Sequence, residues 1–425
     1  MQKEMKHVVI IGAGFSGLFA AKKFFRKNVR VTLVDKNNYH TFNPLLYQVG
    51  AAEIEPDQIA YPVRSVIRGR KNIDFMMSEV TEIKFKKQIV VTTKGDLKYD
   101  YLIIAPGSKT NYFGIKGAGE NSIPLKTLDD ALSLRNHILT LFEKAVKCTD
   151  PDERKKCLTF VITGGGPTGV EFAGAFAELV HGPLKKDFQE IKLTDIDIRL
   201  IDAGKRILPS YNEKSGSYAA RKLEAKGVKI MLESEVIKID KGVIRFRSGD
   251  SIKSHTILWT AGVSGLQFKS DMKFDQGSYS RLIVDDTLRL KGLKEVFVCG
   301  DLTYFEDRGN PLPMIAPVAT QQGEHAAENI LKLISGKEAV PFRYSDRGSM
   351  VTIGRNSAIT KIGNLEIRGF AAWLLWLFIH IFYLIGFRNK IIVLISWFGD
   401  YIFFERSGRM IIPSADSKTG KGSRG

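Results

Sequence analysis

Short, almost wholly apolar runs recur along the chain, and several end on a glycine-rich turn or an acid. The first runs from Val8 to Ile11. It is followed by Gly12-Ala13-Gly14-Phe15-Ser16-Gly17 and then LFAAKKFF, whose apolar positions return at helical spacing. Strand, tight turn and helix are predicted, and the next buried strand, RVTLVD, closes on Asp35. A second unit of this form begins at residues 158–163. There the turn reads Gly164-Gly165-Gly166-Pro167-Thr168-Gly169, the helix VEFAGAFAELV, and the following strand, IDIRLID, ends on Asp202. DYLIIAPGS (100–108) and HTILWTAGV (255–263) repeat a strand-to-glycine-turn pattern at Gly107 and Gly262, and VFVCGD (296–301) sets Asp301 just after a buried strand and a glycine.

Between these runs the pattern changes. Residues 40–50, HTFNPLLYQVG, mix aromatics, amides and a proline and read as a packed loop. Residues 73–91 hold short strand-like runs with basic interruptions, read as an antiparallel excursion. Leu and Ala at helical spacing predict a helix over 127–147, and the charged stretch 150–156 reads as a domain boundary. Near the end, 370–387 (FAAWLLWLFIHIFYLIGF) and 391–404 (IIVLISWFGDYIFF) are apolar. Asp400 interrupts the second, and Arg388 and Lys390 lie between the two. Residues 414–425 are small, polar and basic and are expected to be disordered.

The glycine spacing has a physical logic. The first glycine makes the turn, the second removes a side chain where a pyrophosphate must approach, and the third lets helix and strand pack. The helix N-terminus then presents free N–H groups and a positive dipole end to phosphate. An acid at the end of the next strand can hold ribose hydroxyls. Gly12, Gly14, Phe15, Ser16, Gly17, Asp35 and Lys36 thus form one candidate dinucleotide site, together with Gly107 and Asp301. Gly164, Gly166, Gly169, Asp202 and Gly262 form a second. An acid at 202 disfavours a 2′-phosphate, so NAD is expected over NADP, although Lys205 and Arg206 lie close by. The fold expected is α/β, with two Rossmann-like domains and a C-terminal helical region. The expected boundaries are 1–125 and 266–345 for the first dinucleotide domain, 126–265 for the second, 346–413 for a membrane-anchoring region and 414–425 for the tail.

Composition adds a partner. Lys and Arg number 63 against 46 Asp and Glu, a net charge of +17. That balance suits an anionic partner, and the basic residues are scattered without the aromatic-interleaved stripe of a nucleic-acid footprint. Anionic headgroups explain the charge as well, so no nucleic acid is expected. Trp373, Trp376, Trp397, Tyr383 and Tyr401 are types favoured at a membrane interface. The three cysteines and seven histidines show no metal-ligand spacing, so no metal is expected. The first strand begins within ten residues of Met1, and a chain without a targeting segment is expected.

The order GAGFSG, acid, FNPLLYQVG, GGGPTGVE, WTAGV, CGD is similar to that of the two-dinucleotide-domain flavoprotein reductases. PVATQQG (317–323), SMVTIGRNSAI (349–359) and the tail WLLWLFIHIFYLIGFRN resemble the type II NADH dehydrogenases, single-chain NADH:quinone oxidoreductases that pump no protons. The resemblance covers roughly residues 6–413. It implies FAD on the first unit, NADH on the second and a quinone as acceptor. It also implies monotopic attachment to the membrane, often as a homodimer. The apolar tail is read as two helices lying in one leaflet, with one spanning helix as the alternative. The lack of a targeting segment favours the cytoplasmic face of the inner membrane. Glu171 resembles the glutamate near nicotinamide and flavin, where it either relays a proton or orients the nicotinamide. Gln321 resembles the glutamine facing flavin and quinone, with a helix N-terminal amide satisfying backbone groups as the alternative. Part of the family has an earlier glutamine where this chain reads Ala316-Pro317-Val318, so a two-glutamine contact is not expected. Tyr47, Gln48, Gln322 and His380 are further quinone-side candidates, with core packing as the alternative for Tyr47, Gln48 and His380.

Rivals share the architecture. Disulfide reductases need a close cysteine pair, and no CxxC or CxxxxC is present. A sulfide:quinone-type reductase needs separated cysteines, and none follows Gly348. A flavoprotein resembling apoptosis-inducing factor, acting mainly as a binding protein, is compatible with the charge.

Overall fold

The computed structural model describes residues 5–403, 405–406 and 408–412. The expected basic tail, 414–425, lies outside them. The chain forms two compact units. One comprises 1–41, 60–109 and 263–347, and the other 42–59, 110–262 and 348–425. Segments 42–59 and 110–125 therefore belong to the second unit.

Each unit is built on a five-stranded parallel sheet with its glycine-loop strand in the middle. In the first unit the order is Val296–Val298, Tyr101–Ile104, His7–Ile11, Arg30–Asp35, Ile73–Met77. In the second it is Ile123–Pro124, Thr256–Trp259, Thr159–Thr163, Asp197–Ile201, Val228–Met231. All neighbours in both sheets run parallel. Strands covered on both faces need continuous apolar sequence, and Val8, Val9, Ile10, Val161 and Leu200 are fully buried. In each sheet the strand order reverses beside the glycine strand, and ligands of open α/β sheets bind at such switch points.

Three local readings change. Residues 40–50 are not a loop throughout: Tyr39–Thr41 is a strand and Leu46–Gly50 a short helix whose residues are all buried. Ile73–Met77 joins the main sheet in parallel register with Arg30–Asp35, and the antiparallel excursion begins only at Val80–Lys84. The charged stretch 150–156 is a helix, Pro151–Cys157, inside the second unit. Asp150 caps it, accepting from the Asp152 and Glu153 backbone N–H groups. The helix Leu128–Lys147 begins with a reciprocal cap: Asp130 N–H donates to Thr127 Oγ1 (3.1 Å) and Thr127 N–H to Asp130 Oδ2 (2.8 Å).

The apolar tail is two helices, Phe370–Tyr383 and Phe387–Phe403, broken at Leu384 and Gly386, where φ is +90°. Arg388 and Lys390 lie in the first turn of the second helix rather than between the two. Among the described residues no helix is long and apolar enough to cross a membrane.

Candidate functional site

In the first unit the three glycines are distinguishable by what a side chain would meet. Gly12 sits at φ +95°, and a Cβ there would run into the Ala105 carbonyl. A Cβ on Gly17 would strike the Gly12 carbonyl, whereas one on Gly14 meets nothing within 4 Å. Gly14 is also the N-cap of helix Phe15–Lys23 and has no capping side chain. An open approach to uncapped helix N–H groups is what a pyrophosphate requires. Asp35 Oδ2 accepts from Ala13 N–H (2.6 Å) and Oδ1 from Asn37 N–H (2.8 Å). Burial lifts this carboxyl above its ordinary value, and the two backbone bonds pull it back down. A carboxylate offers about four lone-pair sites, so acceptor capacity remains for ribose.

The second unit repeats this. Gly164 has φ +108° and is pressed on Ala261, Gly169 on the Gly164 carbonyl, and a Cβ on Gly166 meets nothing within 4 Å. Asp202 accepts from Gly165 N–H and Gly204 N–H, both at 2.6 Å. Both cradles fit a dinucleotide pyrophosphate.

The remaining first-unit candidates divide. Gly107, at φ +81°, is open like Gly14. Asp301 follows strand Val296–Val298, and Ser108 Oγ donates to its Oδ2 (2.5 Å). Lys36 is exposed, and the Phe15 ring stands edge-on to His40 at 5.0 Å. Ser16 spends its hydroxyl on the Ala319 carbonyl (2.5 Å), tying its helix to Ala316–Ile334. The buried Gln322 accepts from Gly300 N–H (2.7 Å) and so braces the turn that carries Asp301. Gln321 is occupied at both ends by Ser345, donating to its carbonyl (2.9 Å) and accepting from its N–H (3.0 Å). In the second unit, Gly262 lies under the Phe113 ring rather than facing open space.

The second unit also contains a cavity of about 310 Å³. Its apolar wall comes from the two C-terminal helices, through Trp373, Leu377, Trp397 and Tyr401 among others. Its polar side holds Tyr47, Gln48, Glu53, Glu171, Glu178 and Asp400. Glu171 lies on helix Pro167–Leu179, whose N-cap is Gly166. Burial holds its carboxyl well above the usual range, against a long bond from Thr352 N–H (3.4 Å). Gln48 donates to Tyr47 Oη (3.1 Å) and accepts from Trp397 Nε1 (3.0 Å), which fixes both side chains. Burial, Glu171 and Glu53 raise the Tyr47 phenol, so it stays neutral. Behind the polar side lies Arg406, fully buried. One guanidinium nitrogen donates to the carbonyls of Ala51 (2.9 Å) and Ala175 (2.8 Å), and the other is paired with Glu178 (3.6 Å) and Glu53 (3.9 Å).

His380 is not on the cavity wall. Its ring stacks on Trp376 (4.1 Å) with Nδ1 against the Trp376 carbonyl (2.7 Å), and burial lowers its pKa to about 4. It is a neutral packing histidine. Glu153, Cys157 and His255 come close enough to suggest a metal site, but Glu153 is already paired with Lys144 (2.6 Å) and Lys156 (3.3 Å). Two ammonium groups there repel a cation. The three cysteines are free.

Glu53, Glu178 and Arg406 carry no local signal, because their meeting depends on three distant segments. Asp400 has one: an acid inside an apolar helix is a functional candidate by default.

Two parallel sheets, each with a glycine cradle and a strand-end acid, define a two-dinucleotide-domain oxidoreductase. Residues 6–323 match the pyridine nucleotide-disulphide oxidoreductase family. The chain is 40% identical to a type II NADH:quinone oxidoreductase of Mycobacterium tuberculosis, over 92% of this chain and 87% of that one. It is 30% identical to a type II NADH:quinone oxidoreductase of Staphylococcus epidermidis, over 87% and 92%. In structure it is similar to NDH2 of Plasmodium falciparum solved with NADH, with TM-score 0.87 and 20% identity over 96% of this chain and all of that one. The chain belongs to the type II NADH:quinone oxidoreductase family, within the pyridine nucleotide-disulphide oxidoreductases.

Proposed function

We propose that this protein oxidises NADH and reduces a membrane quinone, with FAD on the first cradle and NADH on the second. The observation that carries this reading is helix Pro167–Leu179. Its N-terminus is the open Gly166 cradle, and Glu171, a little over one turn on, faces the apolar cavity. One rigid element thus serves a dinucleotide at its end and an apolar acceptor at its flank. FAD held by Gly12, Gly14, Gly17, Asp35 and Asp301 would supply hydride acceptance and two-electron transfer, chemistry that belongs to the cofactor.

The chain supplies placement and a proton. The overall reaction, NADH + H⁺ + quinone → NAD⁺ + quinol, needs one proton beyond the hydride. Glu171 holds a proton on its carboxyl at a pH where an ordinary glutamate has lost it. Tyr47 and Gln48 line the cavity as fixed neutral polar groups, while the tryptophans exclude water. Gln321 acts through Ser345 as a strap on the 337–348 segment. The test is anaerobic: NADH bleaches the flavin of the detergent-purified protein, and a soluble quinone restores its colour. Bleaching without recovery refutes the quinone.

Glu171→Gln removes the titrating proton and keeps the shape. The quinone half-reaction at pH 7 is expected to slow roughly a hundredfold. At saturating quinone the wild-type rate falls as pH rises through the raised pKa of Glu171, because the proton is lost there, and this decline vanishes in the variant. Stopped-flow reoxidation across pH measures both.

Asp202→Ala removes the ribose acceptor and the two backbone bonds that shape its loop. The ratio of kcat/KM for NADH over NADPH is expected to fall about tenfold or more. An unchanged ratio removes Asp202 from the ribose contact.

Docking at the cytoplasmic face, where NADH is produced, is part of the proposal. It is supported by the outer faces of the C-terminal helices: Phe378, Phe382, Phe387 and Phe403 are 60–80% exposed. Helix Phe370–Tyr383 has 14 residues. At about 1.5 Å per residue it falls short of a hydrocarbon core roughly 30 Å thick, so the helices would lie in one leaflet. Replacing Phe378, Phe382 and Phe387 together by Glu removes contacts worth roughly 1.5–3 kcal/mol each. This triple variant is expected to stay in the supernatant when anionic vesicles are sedimented, while the wild type pellets.

A further inference from the structure

Trp376 and Asp400 line the cavity, and each has a buried polar atom, Nε1 and Oδ2, without a hydrogen-bond partner among the described residues. The two residues are 1% and 8% exposed. They come from different helices, Phe370–Tyr383 and Phe387–Phe403, which pack with the Trp376 and Trp397 rings 5.4 Å apart. Leu374, Leu394 and Phe398 line the same cavity, together with the polar side chains named above. A buried polar group without a partner destabilises a fold by about 1–3 kcal/mol. Two of them in one apolar cavity match a ligand that brings the missing partners.

The chemistry of the two groups narrows that ligand. An indole N–H only donates, so the ligand must accept. A carboxyl donates when protonated and accepts when ionised. A flat apolar ring bearing carbonyl oxygens meets both demands, and it fits an aromatic wall.

Resting on the quinone reading above, we propose that Trp376 and Asp400 hydrogen-bond the oxygens of the bound quinone and set its affinity. Protonated Asp400 and the Trp376 N–H both donate to quinone carbonyls. Ionised Asp400 cannot donate, and its charge faces the carbonyl dipole. The Asp400 carboxyl is pushed up to about 7 by burial and then by Glu53, while Arg406, Arg355 and Arg409 pull it down. Tyr47, Glu171, Glu178 and Tyr401 are the other titratable groups on the cavity wall. Quinone affinity is therefore highest below neutrality and falls above it.

The test is equilibrium binding of a short-chain benzoquinone to the oxidised, detergent-purified holoenzyme without NADH. Binding is read from quenching of tryptophan fluorescence between pH 5.5 and 8.5. Wild-type Kd is expected to rise about tenfold over this range, the loss of roughly one hydrogen bond to a partner. Asp400→Asn keeps a donor at every pH, so its Kd stays flat near the acid-side value. Trp376→Phe keeps an aromatic ring, though a smaller one, and loses the N–H, and Trp373 and Trp397 remain to report. Its Kd is expected to rise about tenfold throughout, with the pH slope retained. The proposal is overturned if Asp400→Asn keeps the wild-type slope, or if Trp376→Phe binds as tightly as the wild type. If the wild type shows no saturable quinone binding, both this proposal and the quinone reading fall.

Discussion

Gly166→Val is expected to fold and keep its flavin, yet to lose at least about a hundredfold in kcat/KM for NADH, close to 3 kcal/mol. The other two fingerprint glycines of this loop are more tightly enclosed. A side chain on Gly164 or Gly169 collides with backbone inside the second unit, so those variants confound folding with binding. A Cβ on Gly166 meets nothing within 4 Å, and its backbone is ordinary extended chain at φ −73°. The volume it fills is the approach of the pyrophosphate to the helix N-terminus. Stopped-flow flavin reduction by NADH measures the loss. A variant reduced at the wild-type rate would remove the pyrophosphate from this cradle.

Arg406→Ala is expected to carry the largest stability effect in the chain. The guanidinium is fully buried and serves the carbonyls of Ala51 and Ala175 together with the carboxylates of Glu53 and Glu178. Removing one partner of a buried ionic cluster leaves the others desolvated and unpaired, at about 3–5 kcal/mol. Glu178 keeps Lys226 at 2.6 Å, so Glu53 is the group left most exposed to this penalty. A thermal melt of the second unit is expected to shift down by on the order of 5–10 °C. Burial already raises the Glu53 carboxyl and Arg406 opposes this. Without the arginine Glu53 binds a proton more readily, so the variant recovers part of its deficit at acid pH. A melt unchanged within about 1 °C would mean that the cluster contributes nothing to the fold.

What could be read without a structure was what is encoded locally. Both glycine cradles lie within single strand–turn–helix stretches whose spacing is dictated by phosphate geometry, and each acid closes the next strand of its unit. Glu171 was singled out only through the family resemblance carried by GGGPTGVE, because a lone glutamate on a helix has no spacing that marks it. Gln321 was legible as a residue but not as a contact: its partner, Ser345, lies in a segment without regular structure that no periodicity marks. The two tail helices were visible as apolar runs, yet their break was not. Hydropathy does not show that Gly386 takes a left-handed backbone, so the first run read longer than the helix it forms. Ile73–Met77 was misplaced because its alternating burial mimics an antiparallel strand, although its neighbour in the sheet is parallel. The acids around the cavity were invisible as a group, since Glu53, Glu178 and Asp400 meet only after folding.

The cavity wall and the exposed phenylalanines belong to the same two helices, one face turned inward and the other outward. On the proposed docking, the acceptor is a solute of the bilayer and never equilibrates with the enzyme through water. The relevant concentration is then a mole fraction in lipid. Adding inert phospholipid at fixed quinone and enzyme slows turnover by surface dilution, and adding buffer does not. Affinities for the acceptor are comparable between preparations only when expressed per lipid.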